Sequence, residues 1–196
     1  ISVVGKGWGL RQDPSGGAGS ARRRWRAGLV GGDSGRGEHS GQKGGSLTGP
    51  NPVDRGKPGS KIHVLSEACG IPLTVGVSAA NTHDSTMLQP MVESIPAVRS
   101  RRGPRRCKPN KLRADKGYDV DVHRRWLRQR GIVPRIARRG VEDPKHLGRH
   151  RWKIERTIAW LTGYRRLTIR YERQGDNFLA FLQLATAITC YKLLAT

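Results

Sequence analysis

The chain has 196 residues, 37 Lys plus Arg against 15 Asp plus Glu, and a formal net charge of +22. So basic a surface attracts phosphate backbones by releasing condensed counterions, which makes nucleic acid the leading partner class. Charge alone leaves open a basic structural RNA-binding or ribosome-associated protein. Cys69, Cys107 and Cys190 are widely spaced and contain no C-x-x-C pair, which excludes a disulfide framework and a zinc knuckle and suits reduced thiols in a cytosol.

The first ten residues lack the uninterrupted apolar core of a signal peptide. Residues 1–59 are rich in Gly, Arg, Ser and Pro and have almost no apolar rhythm. Such a stretch buries too little apolar surface to offset chain entropy, so it is expected to be a disordered or loosely attached basic tail. Residues 60–196 carry short apolar runs broken by turn residues and are expected to form one domain with a modest core.

Within that domain, 61–66 and 73–79 are β-branched runs flanking Glu67, Ala68, Cys69 and Gly70, which predicts an antiparallel hairpin with Gly70 in the turn. Met87, Leu88, Met91, Val92 and Ile95 recur at helical spacing, with Asp84 or Ser85 as the expected N-cap. Residues 99–110 read as a basic loop holding Arg101, Arg102, Arg105, Arg106 and Lys108, with Pro104 and Pro109 opposing regular structure. A short strand follows at 111–115, and then an amphipathic helix at 119–130 ended by Gly131.

Residues 132–136 predict a further strand, with Pro134 marking a sheet edge. Residues 147–162 predict a helix carrying Ile154, Ile158 and Leu161 on one stripe. The apolar run 178–194 is interrupted by Gln183, Thr186, Thr189 and Lys192 and reads as a buried core helix, not a membrane span. This order suits an α/β (α+β) mixed sheet covered by helices.

Two acids stand out. Asp115 closes a strand, where open α/β sheets place ligands, although an Asp there commonly just starts a turn. Glu155 lies among Arg151, Lys153 and Arg156, a setting equally consistent with an ordinary surface ion pair and with a phosphate-handling site. The segment 56–61 (GKPGSK) lacks P-loop spacing and precedes a strand, so it reads as a solvated basic turn.

HDS at 83–85, LRADKGY at 112–118, RHRWKIER at 149–156 and YRRLTIRYER at 164–173 together resemble an insertion-sequence DDE transposase of the RNase H-like group, of the insertion-sequence-four/five type. The likeness covers roughly residues 43–196. It implies an RNase H-like fold, Asp115 as the second aspartate of the acidic triad, Glu155 as its glutamate, and Arg151 as the arginine four residues earlier. Gly148 and Thr162 stand where the family usually has tyrosine and lysine, which suits the insertion-sequence-five branch.

The implied chemistry is DNA strand cleavage and joining assisted by Mg²⁺ (or Mn²⁺) held on carboxylates, here Asp115 and Glu155. Asp84 is a secondary candidate for positioning DNA, with helix capping as its plainer role. DNA contacts are expected from Lys57, Lys61, Arg101, Arg102, Arg105, Arg106, Lys116, Arg151 and Arg156. The implied partners are transposon ends and target DNA in a bacterial cytoplasm, with a homodimer on DNA left open and no membrane.

The resemblance also exposes a gap. The family's first aspartate lies on the first strand, ahead of the Gly-Gly-Ser found here at 44–46, and no such strand is legible there. Residues 35–43 (GRGEHSGQK) can be back-translated so that a shifted frame reads Asp-Val-Val-Ser-Ile-Arg-Ala-Lys. The region before about residue 43 is therefore expected to be out of frame, with the first strand missing and the chain a truncated or frameshifted copy. Two outcomes follow: an inactive transposase, or a DNA-binding remnant.

Overall fold

The computed structural model describes residues 26–31, 39–40, 45–52, 57–99, 105–138 and 144–195. Nine strands and five α-helices are described. In chain order the first strands are β1 (Arg26–Gly31), β2 (His39–Ser40), β3 (Gly49–Pro50), β4 (Pro58–Glu67) and β5 (Pro72–Ala79). Helix α1 (Leu88–Glu93) follows, then β6 (Val98–Arg99), β7 (Arg105–Arg106) and β8 (Lys111–Ala114). The chain ends with α2 (Asp121–Gln129), β9 (Val133–Ile136), α3 (Pro144–Thr162), α4 (Arg165–Thr168) and α5 (Gly175–Ala195).

The main sheet runs β5, β4, β1, β8, β9, with β2 and β3 pairing at the start of β4. Strand β4 is antiparallel to both β5 and β1, whereas β1, β8 and β9 are mutually parallel. This mixed sheet, covered by helices, has the RNase H-like arrangement.

The β4–β5 hairpin forms as its sequence predicts. Gly70 adopts φ +90° in the turn, a conformation that costs glycine nothing. Alternation along β4 then sorts side chains to two faces. Ile62 and Val64 pack with Val75, Val77, Leu161, Leu167, Phe178 and Leu182 under α3 to α5. Leu65 points to the other face, joining Leu88, Met91, Leu112, Tyr118, Leu127 and Ile132 under α1 and α2. At Gly76 a Cβ would come within 2.8 Å of Met87 Cε and 2.9 Å of Met91 Sδ, so a larger residue there would force these two side chains to shift. The strand expected at 132–136 forms as β9 (Val133–Ile136) at the sheet edge, as Pro134 foretells.

The structure departs from the sequence reading in four places. A strand does fill the first-strand slot: β1 pairs Ala27 with Glu67 through Gly31 with His63 on one side, and Arg26 with Lys111 through Leu29 with Ala114 on the other. Backbone hydrogen bonding asks only for extended geometry, and RAGLVG supplies it despite its weak pattern. Strands from both sides of residue 59 thus share one sheet. The second departure lies in the basic loop, where β6 and β7 pair; residues 100–104 lie outside the described residues.

Third, the cap of the 3-10 turn Asp84–Met87 is His83, whose Nδ1 accepts from the Ser85 amide, so neither Asp84 nor Ser85 has that role. Fourth, α5 is not a core helix. Phe178, Leu182, Ala185 and Thr189 are buried, while Phe181, Leu184, Ile188 and Tyr191 are 36–72% exposed. Apolar residues on every side of a helix do not show that every side is covered.

One buried cation ties the two ends of the domain together. Arg170 is 1% exposed and donates to the carbonyls of Ser46, Leu47 and Glu172 and to the hydroxyls of Thr48 and Ser60. A guanidinium can enter a core only when its donors are satisfied in this way.

Candidate active site

Strand β8 delivers Asp115 to the C-terminal end of the sheet. Three backbone hydrogen bonds secure the turn that follows: the Tyr118 amide to Asp115 O, the Asp119 amide to Lys116 O, and the Val120 amide to Tyr118 O. Asp115 is half-buried and Lys116 exposed. Tyr118 closes the turn downwards and is completely buried.

Beneath this turn runs a chain of hydrogen bonds across the sheet. The Tyr118 hydroxyl lies 3.3 Å from His63 Nδ1, and His63 Nε2 lies 2.8 Å from Ser78 Oγ. Ser78 Oγ donates to the Ala79 carbonyl, so it accepts from His63 Nε2–H, and Nδ1 accepts from Tyr118. The neutral tautomer is thereby selected. Burial, the dominant cause, lowers the His63 pKa to about 4 even though Asp84 works the other way. Tyr118 shifts up, mainly through burial, with Asp84 and Asp115 adding to it.

Asp84 joins this end of the sheet from the 3-10 turn. Its Oδ1 lies 3.1 Å from Lys61 Nζ, which also donates to Thr82 O. Its Oδ2 sits 3.3 Å from where a Cβ would stand on Gly117, so the carboxylate rests directly on the Asp115 turn. Asp84, Asp115, Lys61, His63 and Tyr118 are therefore brought together.

Glu155 lies elsewhere in the network. It is exposed on α3, between residues that clamp the β4–β5 turn. Lys153 donates to Ala68 O, Arg156 to Cys69 O and Thr157 to Gly70 O. That turn is at the far end of β4 from Lys61. Of the DNA-contact candidates, Lys57, Lys116 and Arg156 are exposed and Lys61 is committed to Asp84. The side chains of Arg105, Arg106 and Arg151, and all of Arg101 and Arg102, lie outside the described residues.

Sequence reading missed His63 and Tyr118 as site-forming groups. The available signal was a histidine in the apolar run 61–66, flanked by Ile62 and Val64. Period-two alternation puts it on the face opposite those two, where a polar ring demands partners.

The β1–β8 register ends with Leu29 beside Ala114, one residue before Asp115. No residue of β1 is an acid. Among the described residues, no group of three His, Cys, Asp or Glu side chains is placed to hold a metal ion. Asp84 is already neutralised by Lys61. Hard divalent cations need several oxygen ligands, and the described donor set at this end of the sheet does not fit the pair of Mg²⁺ or Mn²⁺ ions expected from the sequence.

The sheet has the RNase H-like arrangement, and Asp115 directly follows the strand beside β1. Comparison with known proteins adds to this: residues 34–190 match the family described as the transposase DDE domain. The chain is also 48% identical over 147 residues, 75% of its length, to 70% of a Burkholderia cepacia protein described as the transposase for insertion sequence element IS402. This chain belongs to the DDE transposase family. The match begins at residue 34, so β1 lies ahead of it.

Proposed function

We propose that this chain is a transposase by descent that binds DNA but does not cut or join strands, because its first strand supplies no carboxylate beside Asp115. The observation that carries this reading is the β1–β8 pairing, Arg26 with Lys111 through Leu29 with Ala114, in which β1 contains no acid. In this reading Asp115 and Glu155 are the retained members of the triad. A family that works through divalent metal loses affinity and catalysis together when a ligand is lost. In this reading the sequence ahead of about residue 43 is a frame-shifted replacement, of which residues 34–43 already fall within the family match. The setting is a bacterial cytoplasm, and the partners are transposon ends and target DNA.

DNA affinity comes from cations. Arg156, Lys57 and Lys116 are exposed, and binding should weaken steeply with salt.

The test is a nicking and strand-transfer assay on supercoiled and end-bearing DNA with Mg²⁺ or Mn²⁺. The expected result is DNA retardation without cleavage above the level of Asp115→Ala. Metal-dependent nicking that disappears in Asp115→Ala or Glu155→Ala would overturn the reading. Preference for structured RNA over duplex DNA at matched salt would favour the basic RNA-binding alternative. Sequencing the gene upstream of codon 46 in three frames tests the frameshift directly.

A further inference from the structure

The two faces of the sheet are covered unequally on its β8–β9 side. On one face Leu112, Ala114 and Ile136 are buried in the cluster under α1 and α2. Alternation sends Lys111 and Arg113 of β8, and Val133 and Arg135 of β9, to the other face. There α3 to α5 pack over Ile62 and Val64 of β4 and Val75 and Val77 of β5, and the buried cluster they form includes no residue of β8 or β9. Lys111 and Arg113 are half-buried, Arg135 is exposed and Val133 is 45% exposed.

The register places like charges side by side on this open face. Arg113 is the partner of Arg135 in the parallel pairing. Neighbouring strands stand ~4.8 Å apart, so the two side chains leave the sheet together. Like charges directly opposite each other weaken strand pairing, and no described acid forms an ion pair with Arg135. Asp115 continues the row. Its backbone is extended, with φ −70° and ψ 170°, which carries the alternation through it and sets it about 7 Å along the strand from Arg113.

We propose that Arg113 and Arg135 form a phosphate-binding step on this face, which seats the sugar–phosphate backbone of duplex DNA alongside Asp115. The inference rests on the reading of the chain as a DNA-binding protein and says where one strand of that DNA runs. A pair of guanidinium groups held one strand spacing apart gains a counter-charge when anionic oxygens settle between them. Lys111 extends the cationic row away from Asp115, so the step has a direction along β8. Small phosphorylated ligands need a concave pocket, whereas an uncovered sheet face suits a polymer. Contacts of this kind position the duplex without reading its sequence.

Binding of the full chain to a random-sequence duplex, followed by fluorescence anisotropy from about 0.1 M to about 0.5 M salt, tests this together with thermal unfolding of the free chain. Losing one phosphate contact should lower the slope of log affinity against log salt by about 0.9 in Arg135→Gln. Over the decade from about 1 M down to about 0.1 M salt, that slope amounts to about eightfold weaker binding. In the free chain the same substitution removes a like-charged neighbour, so the melting temperature should rise by about 1–3 °C at low salt. Arg135→Lys keeps the charge and should bind within about twofold of the parent. Arg128→Gln removes an equally exposed cation from α2, on the opposite face, and should leave the slope unchanged.

An unchanged slope and affinity in Arg135→Gln would overturn the proposal. So would an equal loss in Arg128→Gln, which would mean that only net charge matters. A loss of binding accompanied by a lower melting temperature in Arg135→Gln would overturn it too, because Arg135 would then be a structural group. These three results leave the DNA-binding reading standing. A parent chain that fails to bind the duplex at about 0.1 M salt would overturn that reading and this proposal together.

Discussion

Strands β1 and β8 lie side by side, parallel and in register, and they differ in what they bring to the sheet. Strand β8 comes from sequence that matches the transposase family and is followed at once by Asp115. Strand β1 comes from ahead of the matched region and carries no acid. Both satisfy the same backbone demand, since each pairs with its neighbours through main-chain groups. A sheet slot accepts many sequences, whereas a catalytic position accepts one or two residue types at one register.

The largest expected effect tests how much of the stability resides in the β8 side. Leu112 is completely buried between the sheet and α2. Leu112→Ala should cost about 3–4 kcal/mol, the transfer loss plus a cavity, measured by urea denaturation. A cost under about 1 kcal/mol would mean that this face is not a packed core and would break the comparison.

The next effect belongs to His63, which faces β1 across the sheet by pairing with Gly31. Its pKa falls from 6.5 to about 4 on folding, so the unfolded chain takes up a proton in that window while the folded chain does not. Stability is fully present above pH 6.5 and declines as the pH falls towards 4, by about 3 kcal/mol in total. Thermal melts across that range should show the decline. His63→Gln, which cannot charge, should flatten it from a lower starting stability. A pH-independent melting temperature in the parent chain would show that the Tyr118–His63–Ser78 chain is not formed.

Tyr118→Phe should cost about 1–2 kcal/mol by leaving His63 Nδ1 buried without a donor. Denaturation at pH 7 reads this directly. No cost would mean that water replaces the hydroxyl, and that the turn after Asp115 is held by its backbone hydrogen bonds alone.

These residues also mark how far the sequence could be read. The hairpin, α2 and β9 were legible because alternation, helical spacing and the positions of Gly70, Gly131 and Pro134 are local signals. Asp115 at a strand end was legible for the same reason. Strand β1 was not, because RAGLVG is short and its partners lie more than thirty residues away on β4 and eighty on β8. The contact of Asp84 with Gly117 and the bond from His63 to Tyr118 were hidden likewise, since both arise only when β4, the 3-10 turn and β8 meet. The exposed side of α5 was misread because composition reports which faces are apolar and not which are covered.

The smallest effect addresses Asp84, the acid nearest the Asp115 turn. Its pair with Lys61 is partly buried, at 20% and 11% side-chain exposure, so Asp84→Asn should cost only about 1 kcal/mol and less at high salt. Lys61 would keep its bond to Thr82 O, and the smaller loss would fall on the packing against Gly117. Comparing Asp84→Asn with Lys61→Met separates the two contributions. If both cost the same and both costs shrink with salt, the carboxylate is there for the ion pair. If Asp84→Asn costs nothing in stability yet alters DNA retardation, the pair holds neither turn nor strand, and Asp84 acts on what binds over Asp115. Asp84 would then belong, with Asp115, to the part of the molecule that depends on residue identity.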